Sequence, residues 1–354
     1  MPEQKYSVNA FYASLINWYD MNGRKLPWRT RPGARPNPYK IWVSEIMLQQ
    51  TTVATVKSRF KIFLKRWPTI NSLAKAELDE VLNSWQGLGY YARARNMHKC
   101  ARIIAYDLNG TFPRDKQELI KLPGVGIYTA AAIAAIAFDC PVIPIDSNVA
   151  RILTRVHAIR GTESVTNKKI DKFATSLTQK KRPGDFAQAL MDLGALICKP
   201  RNPDCPRCPI NTKCNACGNE DLLQYSHKNK GKPKPKRWGL AFWLHRPDGK
   251  VLFYRRPESG LLGGMIDLPG SNWHPEKNIV KDLQKAPLTA DWNLLPGEVK
   301  HVFSHFQLIL QVAITKTQSN NNNINGIWHS PLALDELALS TLTKKVVSHV
   351  RRFE

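Results

Sequence analysis

Leu122-Pro123-Gly124-Val125-Gly126 opens directly into the run Ile127-Tyr128-Thr129-Ala130-Ala131-Ala132. The chain then passes Pro141 and Pro144 to reach Ile145-Asp146-Ser147-Asn148-Val149. Gly124 and Gly126 lack a Cβ and are expected at positive φ, which lets the backbone come close to another group. The free N–H groups of the alanine-rich helix that follows point at the same spot, a natural seat for a phosphate. The pattern predicts a helix-hairpin-helix over about 116–138.

With 354 residues the chain is long enough for two domains with separate cores. Lys and Arg outnumber Asp and Glu by 52 to 28, a formal charge of +24. That imbalance predicts attraction to a polyanion, nucleic acid first. The opening residues hold no long apolar core, so no secretory leader is expected. No apolar run reaches membrane-spanning length, so no membrane partner is expected either. The seven cysteines predict a metal site with free thiols and a reducing, cytoplasmic setting.

Residues from about 7 to 220 read as helical. Phe11, Leu15, Trp18 and Tyr19 recur at helical spacing, and further helices are expected at 40–66, 77–86, 90–108, 116–138, 146–158, 165–179 and 184–198. The proline- and arginine-rich segment 29–39 reads as a loop. A Lys/Pro stretch over 223–237 has nothing to bury and reads as a basic, extended linker. Beyond it the period becomes two. Leu240, Phe242 and Leu244 predict one strand, 251–254 a second, and Phe306 to Ile314 a long third. A helix is expected over 333–352, with 320–325 an asparagine-rich loop. The boundaries are 1–222 for an all-α domain and 238–354 for an α+β domain on an antiparallel or mixed sheet.

Cys198, Cys205, Cys208 and Cys214 are spaced C-x6-C-x2-C-x5-C among prolines, so four thiolates can wrap one compact cluster. A second register, Cys205, Cys208, Cys214 and Cys217, reads as tetrahedral zinc, but its pairs lie closer than in a zinc ribbon and it orphans Cys198. Two carboxyls stand in settings that push their pKa values apart, one toward an acid held protonated and one toward a carboxylate held charged. Glu45 sits among Ile41, Trp42, Val43, Ile46, Met47 and Leu48, a setting that raises a carboxyl pKa. Asp146 stands at the expected start of a helix, where the dipole favours the charged form; a plain helix cap is the competing reading.

The hairpin and the four-cysteine spacing resemble the endonuclease III superfamily of DNA glycosylases. SEIMLQQT, GLGYYARARN, LPGVGIYTA, IDSNV and the cysteine loop, in that order, resemble its adenine DNA glycosylase (MutY) family over essentially the whole chain. The resemblance implies a multi-domain fold: an all-α helix-hairpin-helix glycosylase domain with an iron–sulfur cluster loop, followed by an α+β Nudix-like domain. It implies one [4Fe-4S] cluster on Cys198, Cys205, Cys208 and Cys214, with Cys217, Cys100 and Cys140 as non-ligands. It assigns Glu45 to protonating adenine and Asp146 to stabilising the sugar cation or attacking the sugar carbon, with Tyr128 and Asn148 assisting. Arg24, Leu26 and Arg29 would shape the adenine pocket, although the 29–39 loop is longer and richer in proline than the family's usual link.

The target base must be flipped out of the duplex, and Gln50 and Tyr90 match the residues that fill or wedge the vacated stack, with Leu88 a further DNA-binding candidate. Gly124 and Gly126 would meet the phosphate backbone. Leu261-Leu262-Gly263-Gly264 resembles the lead-in of the Nudix fold, but no acidic box follows: Glu258, Glu276, Glu298, Glu336 and Glu354 are isolated, so pyrophosphate hydrolysis is not expected. Phe303, Ser304 and His305 match the loop that reads 8-oxoguanine, with Ser304 able to meet the lesion's N7–H, worth about 1–3 kcal/mol.

The expected partner is double-stranded DNA holding an A:8-oxoguanine or A:G mispair, bound by a monomer. The expected product is an abasic site without strand cleavage, because position 128 offers no lysine for a Schiff base. Two other readings compete: a pyrimidine-lesion glycosylase with lyase activity, and a non-catalytic DNA-binding protein.

Overall fold

The computed structural model describes residues 6–30, 34–219, 222–225, 233–318, 324–334 and 337–354. Residues 226–232 of the expected Lys/Pro linker and 320–323 of the asparagine-rich loop lie outside these described residues. The chain divides into two compact units, Met1–Lys75 with Asn96–Lys230, and Ala76–Arg95 with Gly231–Glu354. Among the described residues no helix is long and apolar enough to cross a membrane.

The first unit is helical. Helix α1 (Val8–Asn22) starts at Ser7, whose side chain accepts from the Ala10 N–H. Helix α2 (Pro38–Leu48) is capped by Asn37, with Pro38 at the first position, where its missing N–H goes unnoticed. The single helix expected over 40–66 breaks after Leu48. Gln50 turns into the left-handed region at φ 56°, and Thr52 caps a new helix, α3 (Val53–Arg66), by accepting from the Thr55 N–H. The polar Gln49-Gln50-Thr51-Thr52 run supplies side chains that compete with helical hydrogen bonds, which is why the period misleads there.

After α4 (Ile70–Ala74) the chain leaves for the second unit and re-enters within α6 (Ala92–Arg102), whose continuation over Ile103–Asp107 widens into a π turn. The hairpin is α7 (Lys116–Ile120), a turn, and α8 (Ile127–Phe138). Thr129 to Ile136 are all buried, because α2, α7 and α11 (Pro183–Leu196) surround α8 and its alanines let them close in. Between them lie α9 (Ser147–Val156) and α10 (Glu163–Leu177).

The second unit begins with α5 (Leu78–Ser84), two residues shorter at its end than expected, and the turn at Gly87, Gly89 and Tyr90. Its remainder is a mixed sheet. Strand β1 (Lys236–His245) runs parallel to β6 (Gln307–Lys316) with Lys236 opposite Gln307. Strands β2 (Val251–Arg255), β3 (Ile266–Asp267), β4 (Asn293–Leu294), β5 (Val299–Val302) and β7 (Ile327–His329) add antiparallel pairs.

The alternation expected in β1 does not separate core from solvent. Leu240 and Phe242 pack with Ile279 and Leu283 of α12 (Ile279–Leu283), while Ala241 and Trp243 enter the larger core with α13 (Thr341–Val350). Both faces of the sheet are covered, so both sets of side chains are buried. Helix α13 starts later than the expected 333, because Ser340 caps it by accepting from the Thr343 N–H.

Candidate active site

Glu45 lies on α2 and is only 5% exposed. Burial raises its pKa to about 7 and the nearby Asp146 carboxylate adds to the rise, while a hydrogen bond from the Tyr128 side chain and the charge of Arg29 pull the other way. This carboxyl therefore keeps its proton to a higher pH than an ordinary glutamate. Tyr128, on the first turn of α8, is driven well above the ordinary phenol value by burial and then by Glu45 and Asp146, so it stays a donor.

Asp146 caps α9. Its Oδ1 accepts from the backbone N–H groups of Asn148 at 2.9 Å and Val149 at 2.7 Å, and its Oδ2 accepts from the Asn148 side-chain amide at 2.9 Å. Three donors address this carboxylate, the pattern an acceptor-only group demands. The capping reading and the functional reading of Asp146 therefore coincide in one geometry.

Asn148 is fixed from two directions. Arg151 donates to its Oδ1 at 2.8 Å, and α11 passes so close that a Cβ on Gly194 would lie 2.5 Å from the Asn148 Cβ. Arg151 also donates to the backbone oxygens of Gly194 and Cys198, each at 2.8 Å. One turn on, Arg155 reaches the oxygens of Lys199 and Pro200 and the Cys198 sulfur. Helix α9 thus carries the carboxylate at its start and holds the cysteine loop along its length.

A cavity of about 360 Å³, within the range of small-ligand sites, is lined by Arg24, Leu26, Arg29, Glu45, Gln50, Tyr128, Asp146 and Asn148. Arg24 and Arg29 do not reach into it freely. Both are held by Asp192 of α11, whose side chain is fully buried. Arg29 grips its two oxygens at 2.6 and 2.7 Å, and Arg24 does so through its backbone N–H and Nε at 2.8 and 2.6 Å. Burial would raise the Asp192 pKa, but Arg29 and Arg24 override it and hold the carboxyl low. Sequence reasoning missed Asp192 and Arg151. The signal for Asp192 was present: an isolated acid in the apolar stretch 186–193, the pattern that pointed to Glu45.

The hairpin turn leads directly into the first turn of α8, which carries Tyr128. Gly124 has φ 76°, as expected, but Gly126 does not: at φ −86° it is the extended residue that caps α8. Cys198, Cys205, Cys208 and Cys214 line one cavity with Ile152, Val156, Leu193, Ile197 and Ile210, and Cys217 joins them from a more exposed position. Among the described residues no three ligating side chains close on a single ion position; the thiols ring the cavity wall.

The remaining candidates belong to the second unit. Tyr90 is 46% exposed, whereas Leu88 is 4% exposed and faces inward. Phe303, Ser304 and His305 form the turn between β5 and β6, closed by the Phe303 N–H donating to the Phe306 carbonyl. Phe303 is the buried anchor, stacked on Trp273 at 5.7 Å. Ser304 and His305 are exposed.

Residues 43–179 match the HhH-GPD superfamily of base excision DNA repair proteins, and residues 240–349 match the NUDIX domain. Among solved structures, a thermostable thymine-DNA glycosylase matches 59% of the chain and 95% of its own length, with TM-score 0.53 and 29% identity. The adenine DNA glycosylase of Buchnera aphidicola subsp. Baizongia pistaciae is 35% identical, over 97% of each chain. The rat adenine DNA glycosylase is also 35% identical, over 96% of this chain and 77% of its own. The human one is 37% identical, and the match spans 86% of this chain and 66% of the human protein. The chain belongs to the adenine DNA glycosylase family.

Proposed function

We propose that this protein hydrolyses the N-glycosidic bond of adenine mispaired with 8-oxoguanine or guanine in duplex DNA, leaving an abasic site. The observation that carries the reading is the pairing in one cavity of Glu45, buried and raised to about 7, with Asp146, addressed by three donors. Glu45 gives its proton to a ring nitrogen of the flipped adenine as the bond to the sugar breaks and its electron pair leaves with the base. Asp146 balances the positive charge that develops on the sugar, either as a charge partner or by bonding to the sugar carbon. Water then supplies the hydroxyl, and its proton restores Glu45. Tyr128 and Asn148 hold the two carboxyls in place. Arg29 and Arg24, both gripped by Asp192, act as walls of the adenine pocket. Among the described residues that line the pocket there is no lysine to form a Schiff base, which supports a product with its strand intact.

Cys198, Cys205, Cys208 and Cys214 would hold one [4Fe-4S] cluster. The fit rests on four soft thiols ringing one cavity with apolar walls, and on Arg155 donating to the Cys198 sulfur. With every iron corner taken by thiolate, the cluster would serve as a structural clamp on the loop rather than in hydrolysis. The DNA would be met by a single copy of the chain, with the hairpin at Gly124 and Gly126 on a phosphate, and with Gln50 and Tyr90 as the residues that fill or wedge the vacated stack.

The test is a single-turnover incubation with duplex DNA holding adenine opposite 8-oxoguanine. Strand breakage at the adenine only after alkali is the expected result. Breakage without alkali would favour a lyase, and intact DNA after both treatments, with binding retained, would favour a non-catalytic binder.

Ser304 and His305 would read the lesion opposite the adenine. Replacing both by alanine is expected to shrink the preference for A:8-oxoguanine over A:G by roughly tenfold, one hydrogen bond's worth of discrimination. An unchanged preference in paired single-turnover rates would remove the sensor role.

A further inference from the structure

The segment Ala76–Arg95 that groups with the sheet unit also carries the Tyr90 turn. Three points hold it there. Arg255 grips the Asp79 carboxylate with both terminal nitrogens, at 2.7 and 2.6 Å. Gln86 donates to the Leu337 carbonyl at 3.1 Å and accepts from Lys344. Arg95, 9% exposed, donates to the Gly263 carbonyl.

The third point is built into the Leu261-Leu262-Gly263-Gly264 turn. A Cβ on Gly263 would lie 2.4 Å from the Glu258 carbonyl oxygen, and Gly264 sits at φ 72° with its Cβ position 3.4 Å from the Arg95 Cδ. Only a turn without side chains there offers its carbonyls to a guanidinium, and Arg255 takes the Gly264 carbonyl at 3.0 Å beside it. A buried arginine on a backbone oxygen is a charge-assisted bond, among the stronger single contacts a fold offers.

Between these anchors the turn itself is stiff. Arg93 donates to the Leu88 and Gly89 carbonyls at 2.7 and 3.1 Å, and its guanidinium lies over the rings of Trp85 and Tyr90. Trp85 donates to the Gly89 carbonyl at 3.2 Å. Tyr90 is held at φ 49°, a conformation a tyrosine keeps only when its surroundings impose it. A displacement at Arg95, five residues on, is therefore passed to Tyr90 rather than absorbed.

We infer that Arg95, seated on the Gly263 carbonyl, is a positioning residue through which the sheet unit sets the attitude of Tyr90 as it displaces the target base. The sheet unit then does more than read the opposite base; it also aims the residue that enters the stack. This rests on the proposed role of Tyr90.

The experiment places 2-aminopurine beside the target adenine of an A:8-oxoguanine duplex and follows its fluorescence rise as the base leaves the stack, for the full chain and its variants. Arg95→Gln is expected to slow that rise about tenfold, the scale of a modest misplacement, with Arg95→Lys recovering part of it. A double-mutant cycle with Tyr90→Ala is expected to be non-additive, the double variant being no slower than Tyr90→Ala alone. The exposed pair gives a second route that buries nothing unpaired: Arg255→Gln is expected to slow the rise less and to be non-additive in the same way.

A wild-type rise in both Arg95→Gln and Arg255→Gln, or a further tenfold loss when either is added to Tyr90→Ala, would overturn the inference and leave the role of Tyr90 standing. A wild-type rise in Tyr90→Ala would overturn both.

Discussion

Glu45→Gln is expected to abolish adenine release while making the protein more stable at alkaline pH. The carboxyl acts as the proton donor, and losing a general acid costs about 100- to 10,000-fold in rate. Its stability effect has the opposite sign because the site holds a carboxyl where an ion is unwelcome. An unfolded glutamate titrates near 4.5, and burial moves Glu45 to about 7. Below the unfolded value the group is neutral in both states and contributes no penalty. Stability is lost progressively as pH rises between the two values, because the unfolded glutamate ionises freely there while the buried carboxyl still holds its proton. Above about 7 the full penalty stands, roughly 3 kcal/mol at 1.36 kcal/mol per unit. Glutamine carries no such charge. The variant should match the parent in denaturant melts at pH 4 and exceed it at pH 8 by up to that amount. Equal stability at pH 8 would mean that Glu45 is not held in an ion-excluding site. In the parent protein the same titration predicts a single-turnover rate that falls as pH rises through about 7, since the reaction needs the protonated form.

What could be read from the sequence was local. Glu45 was legible because its neighbours within one helix are apolar, and that helix is buried on every side that matters. The cysteines were legible because a loop of fixed spacing carries its own geometry. Asp146 was legible as the start of a helix, Tyr128 and Asn148 only through the family resemblance, and one cavity brings all three to Glu45. The misses are places where a distant partner decides. Gly126 was read as a left-handed residue from its type, but the start of α8 required an extended cap. In β1 the period of two was real, yet α12 and α13 cover opposite faces, so Trp243 is as buried as Phe242. Nothing in residues 76–95 alone announces that they pack with a sheet formed more than a hundred residues later; that follows from Arg95, Gln86 and Asp79 finding carbonyls and an arginine there. Asp192 stands between the two classes: an isolated acid in an apolar stretch marked it, but its partners Arg24 and Arg29 come from the loop after α1.

Asp192→Asn should be the most damaging single change to the first unit, and its effect on catalysis should be readable apart from its effect on folding. The asparagine keeps the shape of the aspartate but leaves Arg29, whose side chain is 8% exposed, without its counter-ion. Breaking a buried pair from one side costs about 3–5 kcal/mol, because the remaining charge is stranded. The same stranded charge faces Glu45. Arg29 already pulls the Glu45 pKa down, against the dominant effect of burial, and Asp192 is the group that offsets part of that pull. With Asp192 neutral, the cation acts on Glu45 unopposed and favours its ionised form. The fall in single-turnover rate with rising pH should therefore move from about 7 to lower pH, so the variant loses more activity at pH 8 than at pH 6. A simple loosening of the pocket would lower the rate equally at both pH values and leave the midpoint in place, and that outcome would mean the Arg29 charge does not govern the acid. Arg29→Met with Asp192→Asn removes the more buried cation together with its counter-ion, leaving Arg24, whose side chain is 25% exposed and reached by water. It should recover part of the stability and return the midpoint to 7 or above, because the stranded cation is the origin of both effects.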